Sequence, residues 1–315
     1  MVWKCIQPIH REYHAINHGG GAMDRTKNRN RTNIVASILL IAGICLLILS
    51  CDDSTGSNDD RAENQNYNAS EDFSYRYGVA SKNTLRLESI TGSISVTGRT
   101  GIDSVTISGE RRVKSDSQAD AEAHLVYLEV VIVESNNEII IRTEQPDDAL
   151  GRDYEVDYFV DIPSDWEVII DHITGNVSID TISADIDIDT ITGNMTLADC
   201  SGYIRADLTT GNMTLADVVA NIDADLTTGN IDCGMVLPAA GICRLELVTG
   251  SIFLSIPQTT SAMFTADVLT GSITLTNVLL NNADISDTHA AGTLGTGNGT
   301  IDLDLVTGNI YVQGL

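Results

Sequence analysis

The sequence predicts an all-β fold of the parallel β-helix (β-solenoid) class, right-handed, in coils of 18 to 21 residues. Three observations predict it. Residues 186–232 read IDIDTITGNMTLADCSGY, IRADLTTGNMTLADVVAN and IDADLTTGNID, two 18-residue blocks and the opening of a third. A unit this short cannot enclose a core, so each copy must stack on the next. Second, a Thr-Gly-Asn/Ser corner recurs at Gly92, Gly175, Gly193, Gly211, Gly229, Gly250, Gly271 and Gly308, with spacings of 18, 18, 18, 21 and 21 between Gly175 and Gly271. Third, apolar residues alternate on both sides of each corner. Ile186, Ile188, Met195 and Leu197 stand seven and five residues before Gly193 and two and four after it, the period of a half-buried strand. Each coil therefore supplies two short strands.

Residues 1–50 form a leader. From Met23, the better start, the chain runs MDRTKNRNRTN and then 17 apolar or small residues up to Ser50. This is the pattern of an export signal. Ile48-Leu49-Ser50-Cys51 resembles the bacterial lipobox, whose cysteine is lipidated, and an uncleaved signal anchor is the alternative. Both place the rest of the chain outside the cytoplasm, in the cell envelope. Residues 51–76 are expected to be the lipidated Cys51 and a disordered tether, because 52–72 hold almost no apolar side chain. As random coil such a tether spans about 25 Å. The full chain of 315 residues carries a formal charge of −26. Beyond Cys51 it keeps 12 basic and 42 acidic residues, a formal −30. Such a surface excludes nucleic acid as a partner.

Residues 77–315 form the folded domain, with an irregular or capping half at 77–165 and regular repeats at 166–315. Residues 84–96 already contain one repeat, with Gly92 at its corner. A second alternating stretch covers 103–108 and leads into the basic patch at 110–114. SQADAEAH at 117–124 begins with a capping serine and predicts a short helix. Residues 125–134 and 138–143 flank Asn136-Asn137 and predict a β-hairpin. Residues 154–162 predict another strand. The gap of 37 residues between Gly271 and Gly308 has room for two coils, one degenerate. Within it, Gly295, Gly297 and Gly299 suggest a phosphate loop, but a strand follows where a helix N-terminus is required. An enlarged turn fits better.

Glycine at the corners allows positive φ, and stacked Asn and Ser side chains can bond to backbone and to one another. These corners are structural. One polar column is unexpected. Four residues before the corner glycines stand Glu88, Asp171, Asp189, Asp207, Asp225, Glu246, Asp267 and Asp304. In an in-register stack neighbours lie about 4.8 Å apart. Like charges there repel by about 1 kcal/mol in water and about 3 to 4 kcal/mol at an effective dielectric of 20. Arg205 and Arg244, carboxyl protonation, or bridging Ca²⁺ would each offset this. A solvated acidic stripe that keeps the sheet from associating laterally is the simpler reading, and no other cofactor is expected. Asp185, Asp187 and Asp189 give D-x-D-x-D, but Thr190 replaces the glycine of a Ca²⁺ loop. Beyond Cys51 the histidines, His124, His172 and His289, have no evident partner. Cys200, Cys233 and Cys243 lack zinc-site spacing. Cys233 and Cys243 fall on inward positions, as buried thiols or as a bridge.

LRLESITGSISVTG, YEVDYFVDIPSDWEVIIDHITGNVSI and the serial Thr-Gly-Asn coils resemble the bacterial putative-adhesin family of unknown function, related to the head GIN domain of putative autotransporter adhesins. The resemblance covers about 77–315. It implies a parallel β-helix displayed on the envelope and often lipid-anchored, with no catalytic residues to carry over. The function expected is non-enzymatic: a lipid-anchored protein whose solenoid binds an envelope protein, an extracellular matrix component or a polysaccharide. Two alternatives are a polysaccharide lyase or hydrolase and an envelope-stress sensor or scaffold.

Overall fold

The computed structural model describes residues 67–315. The leader, Cys51 and the first part of the expected tether lie outside the described residues. Among the described residues all strands belong to one continuous 18-stranded sheet.

The amino-terminal elements are β1 (Tyr67–Gly78), β2 (Thr84–Thr91), β3 (Ile94–Arg99), β4 (Ser104–Ser115), α1 (Gln118–His124), a 3-10 turn (Leu125–Tyr127), β5 (Glu129–Glu134), β6 (Glu138–Glu144) and β7 (Asp153–Pro163). The serine cap forms as expected, with Ser117 Oγ accepting from Asp120 N–H at 3.2 Å. The hairpin of β5 and β6 also forms, though 125–127 turn as a 3-10 helix before it.

The described part of the expected tether over 51–76 is a strand. Residues 67–76 lie in β1, which pairs antiparallel with β4 along its whole length. β1 buries only Ala69, yet Glu71 meets Arg111 at 2.6 Å, so an edge strand held by backbone and ion pairs hides in a polar composition. The basic patch is neutralised within the fold, since Arg112 bonds Glu110 and Glu155 at 2.6 and 2.9 Å.

The regular coils follow: β8 (Glu167–Thr174) with β9 (Val177–Asp180), β10 (Ile186–Thr192) with β11 (Met195–Ala198), then β12 (Ser201–Thr210), β13 (Met213–Met235), β14 (Ile242–Ile256) and β15 (Ala262–Thr276). β16 (Asn281–Ile285), β17 (His289–Leu294) and β18 (Gly299–Gly314) complete the chain. Neighbouring coils pair parallel and in register, so that Val168, Ile186, Ile204, Ile222 and Cys243 form one inward column. The inward columns are almost wholly buried and make the core. Each Ile or Leu so placed contributes roughly 1.5 to 3 kcal/mol relative to exposure.

The layers do not follow chain order at either end. β6 and β7 pair parallel with β2 and β3, forming a layer below the first repeat, and β8 and β9 then stack on its other side. At the carboxyl end β14 pairs with β18, and β18 with β15, so the last coil lies between the two that precede it. The second, degenerate coil expected between Gly271 and Gly308 is absent. There β17 pairs antiparallel with β15, and β16 with β17, capping the stack. Antiparallel strands thus cover both ends, as an exposed parallel edge requires. The glycine-rich stretch begins inside β17, and only 295–298 form the turn. Gly295 and Gly297 adopt φ of 54 and 76°, while Ser261 Oγ accepts from Thr296 N–H and Asn298 N–H.

The corner glycines form a column in the order Gly92, Gly175, Gly193, Gly211, Gly229, Gly250, Gly308, Gly271, all with φ between 126 and 145°. A Cβ on Gly211 would fall 1.6 Å from the Gly193 carbonyl oxygen. Close approach, beyond the turn itself, therefore demands glycine. The adjoining asparagines form a ladder: Asn194, Asn212 and Asn230 each donate backbone N–H to the Asn Oδ1 one layer below, at 2.9 to 3.1 Å.

Candidate functional site

The strand arm before each corner turns alternate residues outward, and stacking converts them into two adjacent columns. The acidic column runs in spatial order Glu88, Asp171, Asp189, Asp207, Asp225, Glu246, Asp304, Asp267. All eight residues singled out from the sequence are thus brought into one row. Beside it, Asp187, Arg205, Asp223, Arg244 and Asp302 alternate in sign.

Cations interleave with the row. Arg205 reaches Asp187 at 3.0 Å and Asp189 at 4.0 Å, and also bonds Asp207. Arg244 reaches Asp223 at 3.4 Å and also bonds Glu246. At the amino end Arg142 Nε donates to Glu88 at 3.0 Å. At the other end His289 Nδ1 lies 2.8 Å from Asp267 Oδ1, a partnership across 22 residues that is invisible in the sequence.

The repulsion left over appears as proton affinity. Burial, then the hydrogen bond with Asp189, pushes Asp207 up to about 7 against the pull of Arg205. Burial and the charge of Glu246 push Asp225 up to about 6, while burial and Asp302 do the same for Asp304. Arginine pairing, one of the expected offsets, is therefore in place, and the direction of these shifts favours the second, protonation. No group of three or more His, Cys, Asp or Glu side chains among the described residues is arranged to hold a metal ion. The carboxylates follow one another along a line, whereas Ca²⁺ needs six to eight oxygens around one point.

Just inside the same arm lies a polar seam. Ser89, His172 and Thr190 are buried at a position that Leu208, Leu226, Leu247 and Leu305 fill in later coils. Thr143 links Ser89 to the Tyr158 hydroxyl, and His172 Nδ1 lies 3.4 Å from the Ser89 carbonyl. Among the described residues His172 Nε2 and Thr190 Oγ1 have no hydrogen-bond partner, and burial lowers the His172 pKa. Cys200, Cys233 and Cys243 are buried free thiols, and the Cys243 thiol beside Cys233, with burial, raises the Cys233 pKa.

The arm after the corner carries a feature the sequence did not disclose. Phe253 and Tyr311 stack with ring centroids 4.9 Å apart and planes 8° from parallel, both substantially exposed. They are 58 positions apart and meet only because β18 lies against β14.

Residues 164–313 match the Toastrack DUF4097 family. No curated protein matches the chain. Among solved structures, a putative cell adhesion protein from Clostridium sporogenes is similar at 9% identity and a TM-score of 0.36, over 78% of this chain and 100% of that one. A putative adhesin from Bacteroides fragilis is similar at 11% identity and a TM-score of 0.37, over 77% and 97%. A third, from Parabacteroides merdae, shows 12% identity and a TM-score of 0.31, over 78% and 96%. The family match falls on the regular repeats, which are part of the stretch that resembles the putative-adhesin family of unknown function.

Proposed function

We propose, proceeding from the Toastrack match, that this protein is a non-enzymatic binding scaffold of the cell envelope. In this reading it is lipid-anchored through Cys51, wound right-handed, and displays its solenoid for adhesion to a surface or matrix component. The observation that carries the reading is the in-register stacking, which turns single residues into straight rows whose members lie about 4.8 Å apart. Rows of repeated chemistry suit an extended or repetitive partner, for which many weak contacts act together. Against a sugar-cleaving alternative, Arg205 and Arg244 are each held by carboxylates of the same face.

Cells lacking the protein, complemented with the wild type or with Cys51→Ala, test this by retention under flow on matrix- and polysaccharide-coated surfaces. Retention that needs the protein and its anchoring cysteine is expected. Equal retention of deleted and complemented cells on every surface would remove the adhesion reading.

A further inference from the structure

The rows flanking the Phe253–Tyr311 stack differ in charge from the rest of this region. Residues 153–315 hold 23 acidic and two basic side chains. Yet the outward positions of the arm after the corner in β14, β18 and β15 are all uncharged, among them Ser251, Asn309, Gln313 and Thr274. Two exposed aromatic rings therefore stand in a neutral, amide- and hydroxyl-bearing island.

Shape supports a ligand there. Phe253 is in register with Asp232, the carboxylate that bounds the island on that side, and Tyr311 with Thr274 on the other, so a shorter side chain flanks each outer ring face. Those two faces are the ones left uncovered by the stack. Asn309 Oδ1 accepts from Ser272 N–H and from Ser272 Oγ–H. Among the described residues none hydrogen-bonds the Tyr311 hydroxyl, the Gln313 amide or the Asn309 amide nitrogen. An exposed aromatic face beside unengaged neutral donors and acceptors matches the two-sided character of a sugar ring, with its apolar C–H face and its rim of hydroxyls. A neutral ligand also avoids the repulsion that the surrounding carboxylates impose on an anion.

We infer that the Phe253–Tyr311 island is a binding site for neutral polysaccharide. This rests on the adhesion reading and gives it a ligand class. The stack itself contributes to sheet stability as any cross-strand aromatic pair does. The test must therefore separate binding from folding.

F253T/Y311T does so, because Thr196, Thr214 and Thr274 already occupy this column in other coils. Affinity electrophoresis of the mature chain would use gels containing hydroxyethylcellulose, galactomannan or anionic carboxymethylcellulose, with the thermal midpoint of each protein measured alongside. Expected are retardation of the wild type by at least one neutral polysaccharide, weaker retardation by carboxymethylcellulose, and about tenfold weaker binding by F253T/Y311T with its melting cooperative. Absence of retardation in both neutral gels, or retardation undiminished in the variant, would overturn the site. Cell retention that needs the protein but is unchanged by F253T/Y311T would also overturn it while leaving the adhesion reading intact.

Discussion

The glycine column makes a graded prediction at Gly211. Alanine there must accept φ of 145°, and its Cβ would lie 1.6 Å from the Gly193 carbonyl oxygen, less than half an ordinary contact. The conformational cost is about 1 to 3 kcal/mol. To relieve the contact the two layers must part at the corner. That weakens Gly193 N–H to Thr210 O at 3.0 Å, Met195 N–H to Asn212 O at 2.9 Å and Asn212 N–H to Asn194 Oδ1 at 3.0 Å. At about 1 kcal/mol per bond, the total reaches about 4 to 6 kcal/mol, a large part of the ~5 to 15 kcal/mol that holds most proteins folded. Two controls isolate the causes. Gly101 has φ of 73° with open space around it, so Gly101→Ala should cost about 1 kcal/mol. Gly78 has neither constraint, and Gly78→Ala should lie within about 0.5 kcal/mol of the wild type. Urea unfolding of the protein, read by circular dichroism, ranks the three, and hydrogen exchange locates the opening. Should Gly211→Ala cost no more than Gly101→Ala, the close stacking of corners inferred here is wrong.

The acidic row predicts a pH dependence. The pKa values of Asp207, Asp225 and Asp304 are raised in the fold, so their contribution is fully present below the unfolded value of 3.8 and is lost as pH rises through about 6 to 7. His172, lowered from 6.5, opposes them as pH falls, and Asp157, also lowered, does so only in stronger acid. With three carboxyls against one imidazole, the melting temperature should be higher at pH 5 than at pH 8, and Asp207→Asn should flatten that slope; a wild-type slope of the opposite sign would contradict the raised values. His172→Leu should stabilise by about 1 kcal/mol, since it removes the unpartnered Nε2 and restores the leucine of later coils. Destabilisation by His172→Leu would show that the imidazole has a buried partner. Metabolic labelling with a radioactive fatty acid should mark the wild type and leave Cys51→Ala unmarked, and equal labelling would exclude Cys51 as the lipidation site.

Much of this architecture was legible because the repeat encodes it position by position. The eight glycines, the inward columns and the acidic row all follow from aligning corners. The order of the layers did not follow, for a physical reason: nearly identical corners are compatible with any neighbour, so nothing in 299–314 says that it pairs with 242–256 as well as 262–276. Everything that depends on that order was hidden with it, including the Phe253–Tyr311 stack. β1 escaped notice because an edge strand needs few apolar side chains when its partner supplies arginines. The partnership of His289 with Asp267 arises from the antiparallel cap, which has no repeat signature. His172 was visible as a residue but not as a buried one, since its seam replaces leucine in only the early coils.

The place of β18 has a consequence for how the protein is made. Until residues 299–314 emerge from the ribosome, β14 and β15 have no shared neighbour and the slot between them stands vacant. Synthesis from the amino end can finish the earlier layers one by one, but β14 and β15 wait for residues 299–314 to join them. Without those residues the two strands would face an open cleft of unpaired peptide groups. β18 thus acts as a keystone, set between layers that precede it in the order of synthesis.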